Sequence, residues 1–262
     1  MKKTIAVLSD VHGNLEALHA VMKSIKKYNP DEIICLGDIV GYGPNPCECL
    51  DILINMPNIK IIMGNHEDIL LGNISQDICS SIGKISSEWN KEHVCPKYIK
   101  DIKNFKRGIS YDNIGFYHSC PKGKYNYPYL NKLEDLISSF SCVESQINFY
   151  GHTHRPRITC INGDKIYDSM IMSSTTINLN NNTRYYINVG SVGQQRDTQT
   201  DSSFAILKIM NDNILLGIER VNYDSYKTFC KIKELIKSDE IATYLIREQG
   251  RREEYENSYN RS

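Results

Sequence analysis

The feature that most constrains this chain is a repeated interruption. Apolar, β-branched runs stop one after another in short loops of glycine, carboxylate, amide and imidazole residues. Run 4–8 leads into Asp10-Val11-His12-Gly13-Asn14, run 33–36 into Gly37-Asp38, run 59–63 into Gly64-Asn65-His66-Glu67, and run 147–150 into Gly151-His152-Thr153-His154. A fifth histidine, His118, ends the run Gly115-Phe116-Tyr117. Apolar runs of this length bounded by turn residues read as strands. Between the first of them the spacing turns helical, with Leu15, Leu18, Val21, Met22 and Ile25 on one face of 15–27 and a second helix over 47–55. Strands joined by helical crossovers make a sheet covered on its faces, so the chain is expected to be α/β. Its 262 residues suit one domain over 1–250 with a polar tail at 251–262.

Further strand candidates at 158–161, 185–189, 204–209 and 214–221 predict a second sheet. Asn162-Gly163-Asp164 is a hairpin signal, whereas the Ser, Thr and Asn content of 173–182 reads as an exposed loop or hairpin extension. Segment 67–105, with Trp89, has helical spacing broken twice, and 225–248 is helical by spacing. Lys+Arg and Asp+Glu are both 31, so no basic excess is available to grip a nucleic-acid polymer. No apolar stretch approaches a membrane-spanning length, and the first run, cut by Asp10, is too short for a signal peptide. The 9 cysteines are scattered without repeated C-x-x-C pairs, which suits the reducing cytoplasm.

The interrupting loops carry the chemistry. The C-terminal ends of neighbouring parallel strands open onto one crevice, so residues far apart in sequence are expected to converge there. Carboxylate, amide oxygen and imidazole suit divalent ions such as Mn, Fe and Zn, and no thiolate stands in these loops, so this is no zinc finger. In Asp10-x-His12 and His152-x-His154 one residue separates the two donors, which in extended backbone puts both on one side. Asp10, His12, Asp38, Asn65, His118, His152 and His154 are more donors than one ion needs, but two ions sharing a carboxylate would use them. A single D-x-H or H-x-H is a weak signal, and a lone histidine is usually a packing or surface residue. His19 and His93, in helical stretches, receive that reading. Glu67 is read as an acid supporting its turn, Asn14 as the cap of the helix at 15, and Cys47 and Cys49 as packing. Arg155 and Arg196 are candidates for substrate phosphate, with a solvated or structural role as the alternative. Tyr42 and the tyrosines of 125–129 are candidates for a substrate face.

In order, the five blocks D-x-H, G-D, G-N-H followed by Glu, H and G-H-x-H make the sequence resemble the calcineurin-like metallophosphoesterase superfamily. Asn188-Val189-Gly190-Ser191-Val192-Gly193-Gln194-Gln195-Arg196-Asp197 is similar to the Gly-rich segment of its small bacterial and archaeal phosphodiesterase branch, which extends the likeness over most of the chain. The resemblance implies a four-layer α/β/β/α sandwich of two mixed sheets flanked by helices. It implies that Asp10, His12 and His154 hold one metal, that Asn65, His118 and His152 hold another, and that Asp38 bridges them. His66 would bind no metal and would assist the leaving group.

Two departures stand out. Ser119 follows His118 where many members have Gly, and Gly37-Asp38-Ile39-Val40 lacks the Asp-Arg-Gly of protein Ser/Thr phosphatases and of the diadenosine tetraphosphate hydrolases that resemble them. The implied function is a phosphodiesterase or phosphatase acting on a small or nucleotide-like phosphate ester. Attack would come from a hydroxide bridging two divalent ions, Mn foremost and Fe, Ni, Zn or Mg as alternatives. The competing expectation is a metal-bound protein-interaction scaffold, as in the retromer subunit of this fold, but that subunit has lost the histidine that His66 matches. A nuclease of the same superfamily is disfavoured by the neutral charge.

Overall fold

Ile5, Ala6, Val7 and Leu8 are all buried, which an unbroken apolar run achieves when its strand is covered on both faces. Alternation sorts them. Ile5 and Val7 point into a cluster with Phe116, Phe149 and Ile187, whereas Ala6 and Leu8 join Leu18, Val21, Ile25, Leu50 and Leu53. The first cluster is the interior between two sheets, and the second lies between a sheet and helices.

The computed structural model describes residues 2–111, 113–211 and 213–245. Its strands are β1 (Lys2–Leu8), β2 (Glu32–Cys35), β3 (Ile59–Ile61), β4 (Ile109–Tyr111), β5 (Ile114–Phe116), β6 (Ile147–Tyr150), β7 (Arg157–Asn162), β8 (Lys165–Met170), β9 (Thr175–Leu179), β10 (Arg184–Asn188), β11 (Ser202–Met210) and β12 (Asn213–Val221). The helices are α1 (Leu15–Lys26), α2 (Pro46–Ile54), α3 (Asn65–Leu70), α4 (Ser81–His93), α5 (Ile99–Lys103), α6 (Leu133–Phe140), α7 (Ser225–Lys231) and α8 (Asp239–Leu245), with a π turn at Ile232–Ile236.

One six-stranded sheet has the order β3-β2-β1-β11-β12-β9 and the other β4-β5-β6-β10-β7-β8. Parallel pairing of β1 with β2 and of β2 with β3 sets three strand ends side by side, and parallel pairing of β6 with β5 and β10 does so in the second sheet. Helices α1 and α2 cover the first sheet. The outer face of the second is covered by α6 through Leu136 and Phe140, packed on Tyr150 and Tyr186. The result is the four-layer α/β/β/α sandwich. Asn14 caps α1 as its sequence position predicts, its side chain accepting from Ala17 N. His19 and His93 lie exposed on α1 and α4.

Three expectations change. Segment 173–182 is not all exposed loop, because Thr175–Leu179 within it forms edge strand β9 on β12, with Ile177 and Leu179 turned inward and Thr176 and Asn178 exposed. Polar residues on the outer positions of an edge strand hide its period of two. Strand β8 carries no such pattern at all, since every one of its residues is exposed, and it is held to β7 by the hairpin at Gly163. The cysteines are not all thiols: Cys47, at the start of α2, is disulfide-bonded to Cys95, just past α4, with Cα atoms 5.8 Å apart. The partner of Cys47 is 48 residues away in sequence, so spacing gave no hint of it. The polar tail at 251–262 and the end of the 225–248 helical stretch lie outside the described residues. Among the described residues no helix is long and apolar enough to cross a membrane.

Phe149 is fully buried between the sheets and stacks on Phe116 with ring centroids 5.3 Å apart. Phe149→Ala is expected to cost about 3–5 kcal/mol, the range for large-to-small changes in a packed core. Urea unfolding followed by circular dichroism would measure it, and a loss below ~1 kcal/mol would mean that the two sheets are not packed as described.

Candidate metal centre

Strands β1, β2 and β6 each run on for one to three residues and then turn sharply. Asp10, His12, Asp38, His152 and His154 have φ of 55°, 49°, 53°, 64° and 59°, in the left-handed region that side chains other than Gly, Asn and Asp seldom enter. The donors of Asp10–His12 and His152–His154 are therefore brought together by left-handed turns, and not by the extended alternation that their spacing suggests. Such strain persists where neighbours over-determine it. Here Asp10 N donates to Gly37 O (3.0 Å), His12 N to Asp38 O (2.9 Å), Gly13 N to Ile39 O (2.7 Å) and Gly151 N to His118 O (2.8 Å).

The Gly-rich run of 188–197 braces the same loops from behind. Val192 N donates to Ser9 O and Gly193 N to Asp10 O, both at 2.9 Å, and Asn188 Nδ2 donates to Gly151 O at 2.7 Å. A Cβ at Gly193 would run into the Val11 carbonyl, and one at Gly64 into the Asp38 carboxylate, so both positions need glycine for close approach.

These turns bring the seven candidate donors together, all of them buried. Donor atoms of Asp10, His12, Asp38 and His154 lie within 4.8 Å of one another, as do those of Asp38, His118 and His152. Asp38 stands in both groups. Asn65 Oδ1 adjoins the second, 3.1 Å from His118 Nε2. His12 Nδ1 donates to Val40 O (3.1 Å), His118 Nδ1 to Leu36 O (2.9 Å) and His154 Nδ1 to Gln194 O (2.6 Å). With the proton held on Nδ1, His12 and His154 present the Nε2 lone pair inward, and His118 does so once it gives up its second proton. His12 Nε2 and His154 Nε2 thus face each other at 3.2 Å, and His152 Nε2 is buried with no hydrogen-bond partner. Facing acceptors and an orphaned one are unfavourable by themselves and fit a bound cation.

The electrostatics divide the donors, favouring the ligand form at His12, His152, His154 and Asp38 and the protonated form at His118 and Asp10. Burial lowers the pKa of His12, His152 and His154, keeping those rings neutral. Burial also works against charge on Asp38, but His118, His66 and His12 outweigh it and hold this carboxyl well below the usual carboxylate range. In return, and again against burial, Asp38 lifts His118 to about 9, with Asp10 and Glu67 adding to it. Asp10 rises to about 7, chiefly through burial.

His66 stands in neither group. Its backbone N–H donates to Asp38 Oδ1 (2.9 Å), and its ring lies 4.9 Å from that of His12 and 5.0 Å from that of Tyr42. Glu67 accepts from the backbone N–H of Asp38 (2.9 Å), Ile39 (2.7 Å), Val40 (3.1 Å) and Gly64 (2.9 Å), tying two metal-side loops with one carboxylate. Arg155 is exposed and donates from Nε to Arg196 O (2.9 Å). The Arg196 side chain bonds Gln194 Oε1 (2.9 Å from Nη2) and lies over the rings of Tyr129 and Tyr244.

Sequence reasoning passed over Asp68, whose buried carboxylate binds Arg107 through both oxygens and accepts from Tyr127 OH (2.5 Å). Tyr127 then sets its ring 5.6 Å from His118, and Tyr129 stacks on His152 at 4.3 Å. Asp68 directly follows Glu67 in the third block, and an acid buried at the start of a helix beside ligands was the available signal.

A two-sheet sandwich with imidazole and carboxylate donors gathered at its parallel strand ends defines a protein of the metallophosphoesterase class. The chain belongs to the calcineurin-like phosphoesterase superfamily, whose domain profile matches residues 3–212. Members of this superfamily are metal-dependent phosphoric ester hydrolases. An uncharacterised protein of Methanocaldococcus jannaschii is 33% identical over 238 residues, covering 88% of this chain and 93% of its own. The crystal structure of a metallophosphoesterase from Sphaerobacter thermophilus superposes with a TM-score of 0.79 at 27% identity, covering 94% of this chain and 98% of that one. A shorter stretch of 67 residues is 36% identical to a symmetrical bis(5'-nucleosyl)-tetraphosphatase of Psychromonas ingrahamii, covering 25% of this chain and 24% of that protein.

Proposed function

We propose that this chain is a dinuclear metal-dependent hydrolase of small or nucleotide-like phosphate esters, acting as a phosphodiesterase or phosphatase. The observation that carries the reading is the Asp38 carboxylate, which belongs to both donor groups. In this reading Asp10, His12 and His154 hold one ion, Asn65, His118 and His152 hold the other, and Asp38 bridges them. Manganese suits this mixture of imidazole and oxygen donors, with Fe, Ni, Zn and Mg as alternatives. Bound there, two divalent ions acidify a water and neutralise phosphate oxygens.

The chain's own groups do the rest. Glu67 fixes the loop that presents Asp38, and the His66 ring, free of both donor groups, donates a proton to the leaving oxygen. Arg155 and Arg196, at the rim of the centre, are proposed to meet phosphate groups of the substrate. Seven unpaired cysteines beside one disulfide favour a cytoplasmic setting.

Chelator-stripped protein is expected to be inactive on bis-p-nitrophenyl phosphate and p-nitrophenyl phosphate, and to regain turnover on Mn addition. Elemental analysis of the reloaded protein should find two ions per chain. Two bound ions without turnover of any ester, whatever the divalent metal, would instead favour the protein-interaction scaffold.

A further inference from the structure

Three of the six arginines among the described residues close on a carboxylate, while Arg155 and Arg184 donate to backbone carbonyls. Arg107 pairs with Asp68, Arg157 with Asp168 and Arg220 with Asp197. Arg196 has no carboxylate partner among the described residues, although Asp197 is its neighbour in sequence, because the buried Arg220 has taken that acid. The Arg196 guanidinium instead lies over two rings, its central carbon 5.9 Å from the centroid of Tyr129 and 5.9 Å from that of Tyr244. Rings on a planar guanidinium restrain it without neutralising it, and its five N–H groups exceed the three contacts it makes to Gln194 Oε1 and Tyr129 OH.

The surroundings place this cation at the rim of the centre. Tyr129 stacks on His152, and Tyr244 lies 5.6 Å from Tyr42, whose ring meets both His12 and His66. Arg196 N donates to His154 O. The guanidinium therefore lies over a ring that itself stacks on a donor histidine, at the edge of the donor cage.

A second observation points to a ligand at the same spot. Gln194 is fully buried, and its Oε1 accepts from Nε and Nη2 of Arg196, which fixes the orientation of the amide. Its Nε2 is left buried without a hydrogen-bond partner. A cation with no carboxylate contact among the described residues and an orphaned donor beside it call for acceptors, and an anionic group supplies them to both.

We infer that Arg196 and the Gln194 amide, walled by Tyr129 and Tyr244, form a second anion subsite, so that the substrate carries a further phosphate or equivalent anionic group beside the ester that is cut. This rests on the proposed hydrolase reading and narrows it to diphosphates, bisphosphates and longer phosphate chains. It also gives α8 a part in the site through Tyr244, although α8 lies beyond the residues matched by the family profile.

Calorimetric titration of the Mn-loaded full chain at fixed free Mn, with methylphosphonate and with methylenebisphosphonate, tests this without turnover. The wild type should bind the bisphosphonate at least tenfold more tightly. Arg196→Leu should lose most of that preference, weakening the bisphosphonate by a larger factor than methylphosphonate, and Arg196→Lys should retain part of it. Tyr244→Leu should weaken the preference by a smaller factor. Equal affinities in the wild type would overturn the subsite, and so would a preference undiminished in Arg196→Leu, which would belong to the metals alone. If the preference holds and no ester is hydrolysed, the hydrolase reading fails and the subsite stands. Hydrolysis with no preference is the reverse case.

Discussion

Asp38→Asn should lower metal-dependent turnover by roughly a thousandfold or more while leaving the protein folded. Groups that merely orient metal ligands already cost about 10–100-fold when replaced, and Asp38 is proposed to touch both ions, so its loss should exceed that range. The substitution is close to isosteric, and the amide oxygen can still accept the His66 N–H that Asp38 Oδ1 accepts at 2.9 Å. It removes the negative charge that both donor groups share. Metal content should therefore fall from two ions per chain to one or fewer. In chelator the variant should be less stable than the wild type, because the buried His118 then loses the carboxylate that holds its charge. Activity within tenfold of wild type, or two ions retained at undiminished affinity, would mean that Asp38 does not couple two metals.

The candidate donors were legible in the sequence because each polar loop interrupts an apolar run that reads as a buried strand. Strand ends in a parallel sheet share a crevice, so five blocks spread from Asp10 to His154 converge without any knowledge of the pairing. The way they converge was not legible. Asp10, His12, Asp38, His152 and His154 are ordinary residues in left-handed backbone, and only the lacing of their N–H groups to neighbouring loops explains why they stay there. Pairings between distant surface elements were equally hidden. Nothing along the chain says that Arg220 takes Asp197 from Arg196, or that Tyr129 lies on His152 and Tyr244 beside Tyr42. In the fold, the buried strands were recognisable from apolar runs, whereas β8 and β9 were not, because an edge strand is held by its ladder and needs few apolar residues.

His66→Ala separates binding from proton transfer. The hydrogen bond from residue 66 to Asp38 uses the backbone N–H, so alanine keeps it, and the ring belongs to neither donor group. Two ions should remain bound at near wild-type affinity. What is lost is the imidazole that stands beside Tyr42 and His12 without belonging to either donor group. A positioned acid contributes about 10²–10⁴-fold to a step that moves a proton in the transition state, and it does so in proportion to how much the departing oxygen needs that proton. Esters of simple alcohols should therefore slow by about that factor, whereas p-nitrophenyl esters, whose leaving group departs as a stabilised anion, should slow far less. Measuring kcat/KM over a series of leaving groups would give a steeper dependence on leaving-group pKa in the variant than in the wild type. A uniform loss across the series would assign the ring to packing against His12 and Tyr42, and proton donation would then have to come from another group or from solvent.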